Sequence, residues 1–184
     1  GVLETGEEFV LDGDWDLMIA HPPCTYLSVS GARWYYHPED KDLPVEKRRP
    51  HPNFPTRAQD RKEAIEFFLA LAHADIPHIA IENPVGIMSK LFQKPNQIVQ
   101  PYWFGDEATK TTCLWLKNLP ILTPTKMVGK GERVVLSSGK SLPKWYSDSF
   151  NTKISTEMRR TLRSKTFQGF ADAMAEQWSK ILLP

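Results

Sequence analysis

Proline sets the strongest limit on what this chain can fold into. Two short apolar runs each end on it: residues 15–20 (WDLMIA) at His21-Pro22-Pro23, and residues 78–81 (HIAI) at Glu82-Asn83-Pro84. Proline has no N–H to give a β-ladder, so each run is predicted as a buried strand that stops there. Between them, residues 58–73 carry Ala64, Ile65, Phe68, Leu69 and Ala72 at helical spacing, with Thr56 placed as N-cap. Strand, helix, strand is the rhythm of a parallel α/β sheet.

The same residue type marks the next region. Pro38, Pro44, Pro50, Pro52 and Pro55 fall within residues 33–57, a long irregular segment of the kind that is functional or disordered in compact domains. Further strands are predicted at 98–104 and 112–116. A hairpin is predicted from 134–136 and 142–146 around Ser137-Ser138-Gly139-Lys140. Residues 167–182 read as a terminal helix with Phe170, Met174, Trp178 and Ile181 on one core-facing stripe. At 184 residues the chain is expected to form a single domain.

Charge is unevenly spread. Residues 117–165 hold eleven bases against three acids, a net +8, and the remainder holds twelve bases against nineteen acids, a net −7. The formal total of +1 therefore hides one strongly basic region, which is either a polyanion-facing surface or a solvated face. No apolar run approaches the roughly 18 to 20 residues a membrane helix needs. Two cysteines, Cys24 and Cys113, are too few for a disulfide framework, so a reducing cytoplasm is expected.

Ligands of open α/β sheets bind beyond the carboxyl ends of the strands. Two polar clusters fall there: residues 21–28 (HPPCTYLS) after the first strand and Glu82-Asn83-Pro84 after the second. Cys24 is either a nucleophile or a small core residue, and Glu82 either a general acid or a helix-capping one. Their shared location favours the chemical readings. His21 and Cys24, three apart, make half a metal site, but no second pair has usable spacing, so no metal is expected. Cys113 lies in an apolar strand and reads as packing. Tyr102 and Trp103 are either a base-stacking pair or core.

Pro22-Pro23-Cys24 followed by Ser28, with Glu82-Asn83 some sixty residues on, resembles the DNA (cytosine-5)-methyltransferase family in order, spacing and strand-end placement. More narrowly, AHPPCTYLSVSGARW, IENPVGIMSK and KTTCLWLKNLP are similar to compact phage and prophage members of that family. The resemblance implies a Rossmann-like S-adenosylmethionine-dependent fold and a cytoplasmic enzyme acting on DNA. Cys24 would add to C6 of a flipped-out cytosine, Glu82 would hold the protonated N3, and the methyl group of S-adenosylmethionine would pass to C5. Ser28, Arg33, Asn83 and Lys110 are then substrate-binding candidates, with Arg48 and Arg49 as further phosphate contacts. Pro23, Ser164 and Thr166 are the cofactor-binding candidates. The segment 33–57 takes the place of a mobile loop that closes over DNA.

Departures from the family pattern shape these expectations. No Gly-rich strand–turn–helix precedes Trp15, which implies an N-terminal truncation, with Gly1-Val2-Leu3 as the edge of a further motif. Glu-Asn-Pro stands for Glu-Asn-Val, and Lys110-Thr111-Thr112 for Gln-x-Arg-x-Arg, so one lysine replaces two guanidinium groups. The basic insertion at about 118–162, with its hairpin, replaces a large target-recognition domain. An exposed sheet edge is expected to drive self-association. Two other functions fit the same residues: an inactive nucleic-acid-binding remnant of the fold, or an enzyme on free pyrimidine nucleotides.

Overall fold

The structure, a computed structural model, describes residues 14–150 and 153–182. Residues 1–3, expected to be a motif edge, lie outside the described residues. The chain is mixed α/β. Strands β1 (Leu17–Ala20), β2 (His78–Pro84), β3 (Gln97–Val99) and β4 (Thr112–Lys117) form one sheet in the order β1-β2-β4-β3. Helix α1 (Arg57–Ala72) joins β1 to β2, and those two strands are parallel, as the sequence rhythm predicts.

The rest of the sheet is antiparallel: β4 runs against both β2 and β3. The reason lies in the connection after β2. Parallel pairing needs a crossover of a dozen or more residues, usually helical, and the α-helix there, α2 (Met88–Leu91), has four residues. The strand predicted at 98–104 is shorter than expected. Pro101 removes a ladder donor, and Pro101–Trp103 winds into a 3-10 turn instead.

Side chains alternate across β2 and β4, and each face of the sheet is covered by one helix. Ile79, Ile81, Cys113 and Trp115 pack with Phe68 of α1 and with Leu27 and Met88. Ala80, Leu114 and Val99 pack with Phe170, Met174 and Trp178 of the terminal helix α5 (Gln168–Leu182). The predicted stripe on α5 holds for those three residues but not for Ile181, which is 40% exposed where the helix runs past the core. Thr56 does precede α1, but its hydroxyl donates to Asp60 instead of capping a backbone N–H.

The basic segment is more structured than its sequence suggested. Strands β5 (Arg133–Val135) and β6 (Ser141–Pro143) form the predicted hairpin, closed at Gly139 with φ +78°. Residues 144–146, expected to extend the second arm, begin helix α3 (Lys144–Asp148) instead. Helix α4 (Thr156–Ser164), capped by Ser155 through the Met158 N–H, has no counterpart in the sequence-based expectation. No helix among the described residues is long and apolar enough to cross a membrane. Strand β1 is one edge of the sheet, where Ile19 is exposed.

Phe68 is fully buried and meets Trp115 edge-on at 5.2 Å between ring centroids. Phe68→Ala is expected to cost about 3–5 kcal/mol of unfolding free energy by urea titration.

Candidate active site

The parallel register of β1 and β2 builds the centre of the site. Ala20 pairs with Ile81, so the next residues along each strand, His21 and Glu82, fall side by side. His21 Nδ1 lies 2.7 Å from Glu82 Oε2. One step further, the Asn83 amide donates to the Pro22 carbonyl at 2.8 Å. Glu82 is 8% exposed, and Asn83 is buried.

Beyond Pro23 the chain turns sharply. The Leu27 and Ser28 N–H groups both donate to the Cys24 carbonyl, at 3.1 and 3.0 Å. This turn then docks on the exit from β2. Ile87 N–H donates to Leu27 O, Val29 N–H donates to Val85 O, and Ser28 bridges Gly86. The approach demands glycine at 86, where a Cβ would stand 2.2 Å from the Leu27 carbonyl oxygen.

Cys24 is solvent-exposed, yet its thiol is held above the ordinary cysteine range. Desolvation by the surrounding atoms is the main cause, and the Glu82 charge adds to it. A backbone hydrogen bond and the Lys110 ammonium act in the opposite direction. Glu82 also helps to raise Cys113, which is buried in β4 beside Asn83 and serves packing. A cavity of about 10 Å³, room for one water, lies on the α5 side of Glu82, with Lys110, Thr112, Thr166 and Phe170 in its lining. Lys110 Nζ donates to the Lys165 carbonyl at 3.2 Å, so the α4–α5 linker is tied to the same place.

Cys24, Glu82, Lys110 and Thr166 therefore gather at one end of the sheet. Comparison with protein-family models, curated proteins and solved structures finds no match.

The other candidates fall differently. Ser28 shares a 2.9 Å hydrogen bond with Ser30. Arg33 is exposed and lies over the Trp34 ring at 4.5 Å. Asn83 spends its amide on Pro22. His21, considered for a metal, is engaged by Glu82, and no group of three or more candidate metal ligands occurs among the described residues. Tyr102 and Trp103 are half-buried, Trp103 against the core and Tyr102 under the Lys130 ammonium.

The residues named for S-adenosylmethionine lie on two segments: Pro23 follows β1, Ser164 ends α4 with its hydroxyl donated to Thr161 O, and Thr166 lines the cavity beside Glu82.

Segment 33–57 is folded onto the site. The Arg57 guanidinium donates to Thr25 O at 3.0 Å, within 5.2–5.6 Å of the Tyr26, Tyr35 and Phe54 ring centroids. The Tyr35 hydroxyl donates to Tyr26 O. Arg49 pairs with buried Asp40 at 2.7 Å, and Arg48 donates to Leu43 O and Lys41 O. Two of the proposed phosphate contacts are thus engaged within the segment itself. His21 as the partner of Glu82 escapes sequence reasoning: His21 directly precedes Pro22 and Glu82 stands two residues before Pro84, but only the strand register brings the two together.

Two predictions test these electrostatics. Glu82→Gln removes a charge that raises the Cys24 thiol, so alkylation of Cys24 by iodoacetamide at pH 7.5 should speed up roughly two- to tenfold. Lys110→Met should slow it by a similar factor. Peptide mapping separates Cys24 from Cys113, and unchanged rates in both variants would show that these charges do not act on Cys24.

The second concerns Asp40, whose carboxyl is lowered from 3.8 to about 2, chiefly by hydrogen bonds from the Arg49 side chain and backbone N–H. A folded value below the unfolded one means that the ionised form stabilises the segment. That contribution is complete above 3.8 and is lost as pH falls toward 2. Hydrogen exchange at the Arg49 amide should accelerate across this window, and Asp40→Asn should exchange fast already at pH 6.

Proposed function

We propose that this chain carries the cytosine-activating centre of a DNA (cytosine-5)-methyltransferase. The observation that supports it best is the convergence of an accessible thiol, Cys24, and a buried carboxyl, Glu82, at the ends of neighbouring parallel strands. The chemistry of C5 substitution needs that pair. Cytosine C5 is a poor nucleophile until C6 has been attacked.

The Cys24 thiolate forms an S–C6 bond. The electron pair of the C5–C6 double bond moves to C5 and is delocalised toward N3. N3 holds a proton shared with Glu82, which keeps the ring neutral as charge develops. Carbon 5 then takes an electrophile, the C5 proton leaves, and re-formation of the double bond expels Cys24. With a solvent deuteron as the electrophile, the balanced outcome is exchange of H5 for deuterium with no other change. Methyl transfer to the same carbon is the finer reading, which rests on the family resemblance.

A DNA substrate suits the charge distribution. Lys140 at the hairpin, Arg160 on α4, Lys126 and Lys165 are exposed bases in a segment with a net +8, close in sequence to the Thr166 wall of the cavity. Lys110, Ser28 and Arg33 lie nearer to Cys24 and are the candidates for the target nucleotide's own phosphates.

Deuterium exchange at cytosine C5, followed by mass spectrometry in heavy water, tests the reading without any cofactor. Duplex or single-stranded DNA should exchange with the wild-type chain and not with Cys24→Ser. Exchange restricted to free cytidine nucleotides would move the substrate to that class. No exchange on either would leave a nucleic-acid-binding remnant. Isothermal calorimetry with S-adenosylmethionine reads the cofactor separately.

A further inference from the structure

Glu82 has a partner that the mechanism above does not use. His21 Nδ1 meets Glu82 Oε2 at 2.7 Å, and the two differ sharply in environment: the Glu82 side chain is 9% exposed and that of His21 42%. One imidazole nitrogen thus faces the buried carboxyl, while the ring is partly open to water. This is the arrangement of a proton conduit. A buried acid that must give up a proton and regain it in each cycle is slow unless something connects it to solvent.

We infer that His21 is a positioning and proton-relay residue for Glu82, fixing one carboxyl oxygen and resupplying the proton that the other delivers to the pyrimidine N3. The inference rests on the reading of Cys24 and Glu82 given above. The proton accounting is closed. Glu82 Oε1–H gives its proton to N3, and His21 passes the Nδ1 proton to the carboxylate. The imidazole takes a new proton from solvent at Nε2 as Nδ1 gives its own up, so the ring stays neutral, and the sequence reverses when the adduct collapses.

Geometry makes the relay selective. The register that pairs Ala20 with Ile81 leaves His21 no other place, and Pro22 holds the turn behind it through its bond from Asn83. The titratable and charged groups around Glu82 are His21 from the end of β1, Cys24 from the following turn, Lys110 from the loop before β4 and Cys113 from β4. Lys110 donates to the Lys165 carbonyl and both thiols are raised, so His21, bonded to Glu82 and partly open to water, is the member of the set that links the carboxyl to solvent.

Asparagine separates the two roles. Its side-chain amide reaches about where Nδ1 stands, so His21→Asn keeps a donor to Glu82 but cannot relay a proton. His21→Asn should lower kcat for C5 exchange about 10²-fold or more and leave KM within about twofold. His21→Ala should raise KM as well. Wild-type kcat in His21→Asn would overturn the relay.

Nitrogen-15 NMR of the histidine ring reads the pair without activity. Neutral His21 should carry its proton on Nδ1, and Glu82→Ala should return it to the commoner Nε2–H form. A ring in the Nε2–H form that ignores Glu82→Ala would show that the pair does not exist. A wild-type chain that exchanges no substrate would overturn the reading of the site and the relay with it, while the ring tautomer would still report whether Glu82 holds His21.

Discussion

Everything functional in this fold depends on where the parallel ladder between β1 and β2 ends. Four pairs, from Leu17–His78 to Ala20–Ile81, hold the two strands in register. Proline at 22, 23 and 84 then removes the N–H groups that would continue the ladder. Side chains take over where the backbone stops. His21 bonds Glu82 and Asn83 bonds Pro22, so the two strand ends stay together after their peptide groups have parted. A slip of one residue would turn Glu82 to the α1 face of the sheet and separate it from His21.

Alternation along β2 explains why the carboxyl is buried. Ile79 and Ile81 face α1, and Ala80 faces α5. Glu82 is the next position on the Ala80 face, which carries it in beside Val99, Phe170 and Thr166. An isolated carboxylate there is costly, because burial removes its water without supplying donors. His21 Nδ1, 2.7 Å from Glu82 Oε2, and the nearby Lys110 ammonium provide the compensation. The placement sacrifices stability for a carboxyl that has few competing waters and one aimed partner.

Much of this was legible in the sequence. The proline-ended runs marked β1 and β2, the helical spacing marked α1 and α5, and strand-end logic brought Cys24 and Glu82 together. What escaped has physical causes. The His21–Glu82 contact spans sixty-one residues and exists only through the register, which no local pattern encodes. Helix α4 has exposed Met158 and Leu162 and charges elsewhere, so it shows no buried stripe and is held by its Ser155 cap and by Arg159 and Arg163 on Ser149. Segment 33–57 reads as a loop because its order comes from single polar and aromatic anchors, Arg57, Tyr35 and the Asp40–Arg49 pair, and not from periodicity.

The electrostatics of Cys24 and Glu82 are coupled in a direction that suits a covalent mechanism. Desolvation holds the Cys24 thiol above its ordinary range, and the Glu82 charge adds to it. On the proposed reading, a pyrimidine N3 that shares a proton with Glu82 would weaken that contribution and leave the Lys110 ammonium, which lowers the thiol, less opposed. The same coupling protects an exposed cysteine between turnovers, because the thiol is the less reactive form toward oxidants and stray electrophiles.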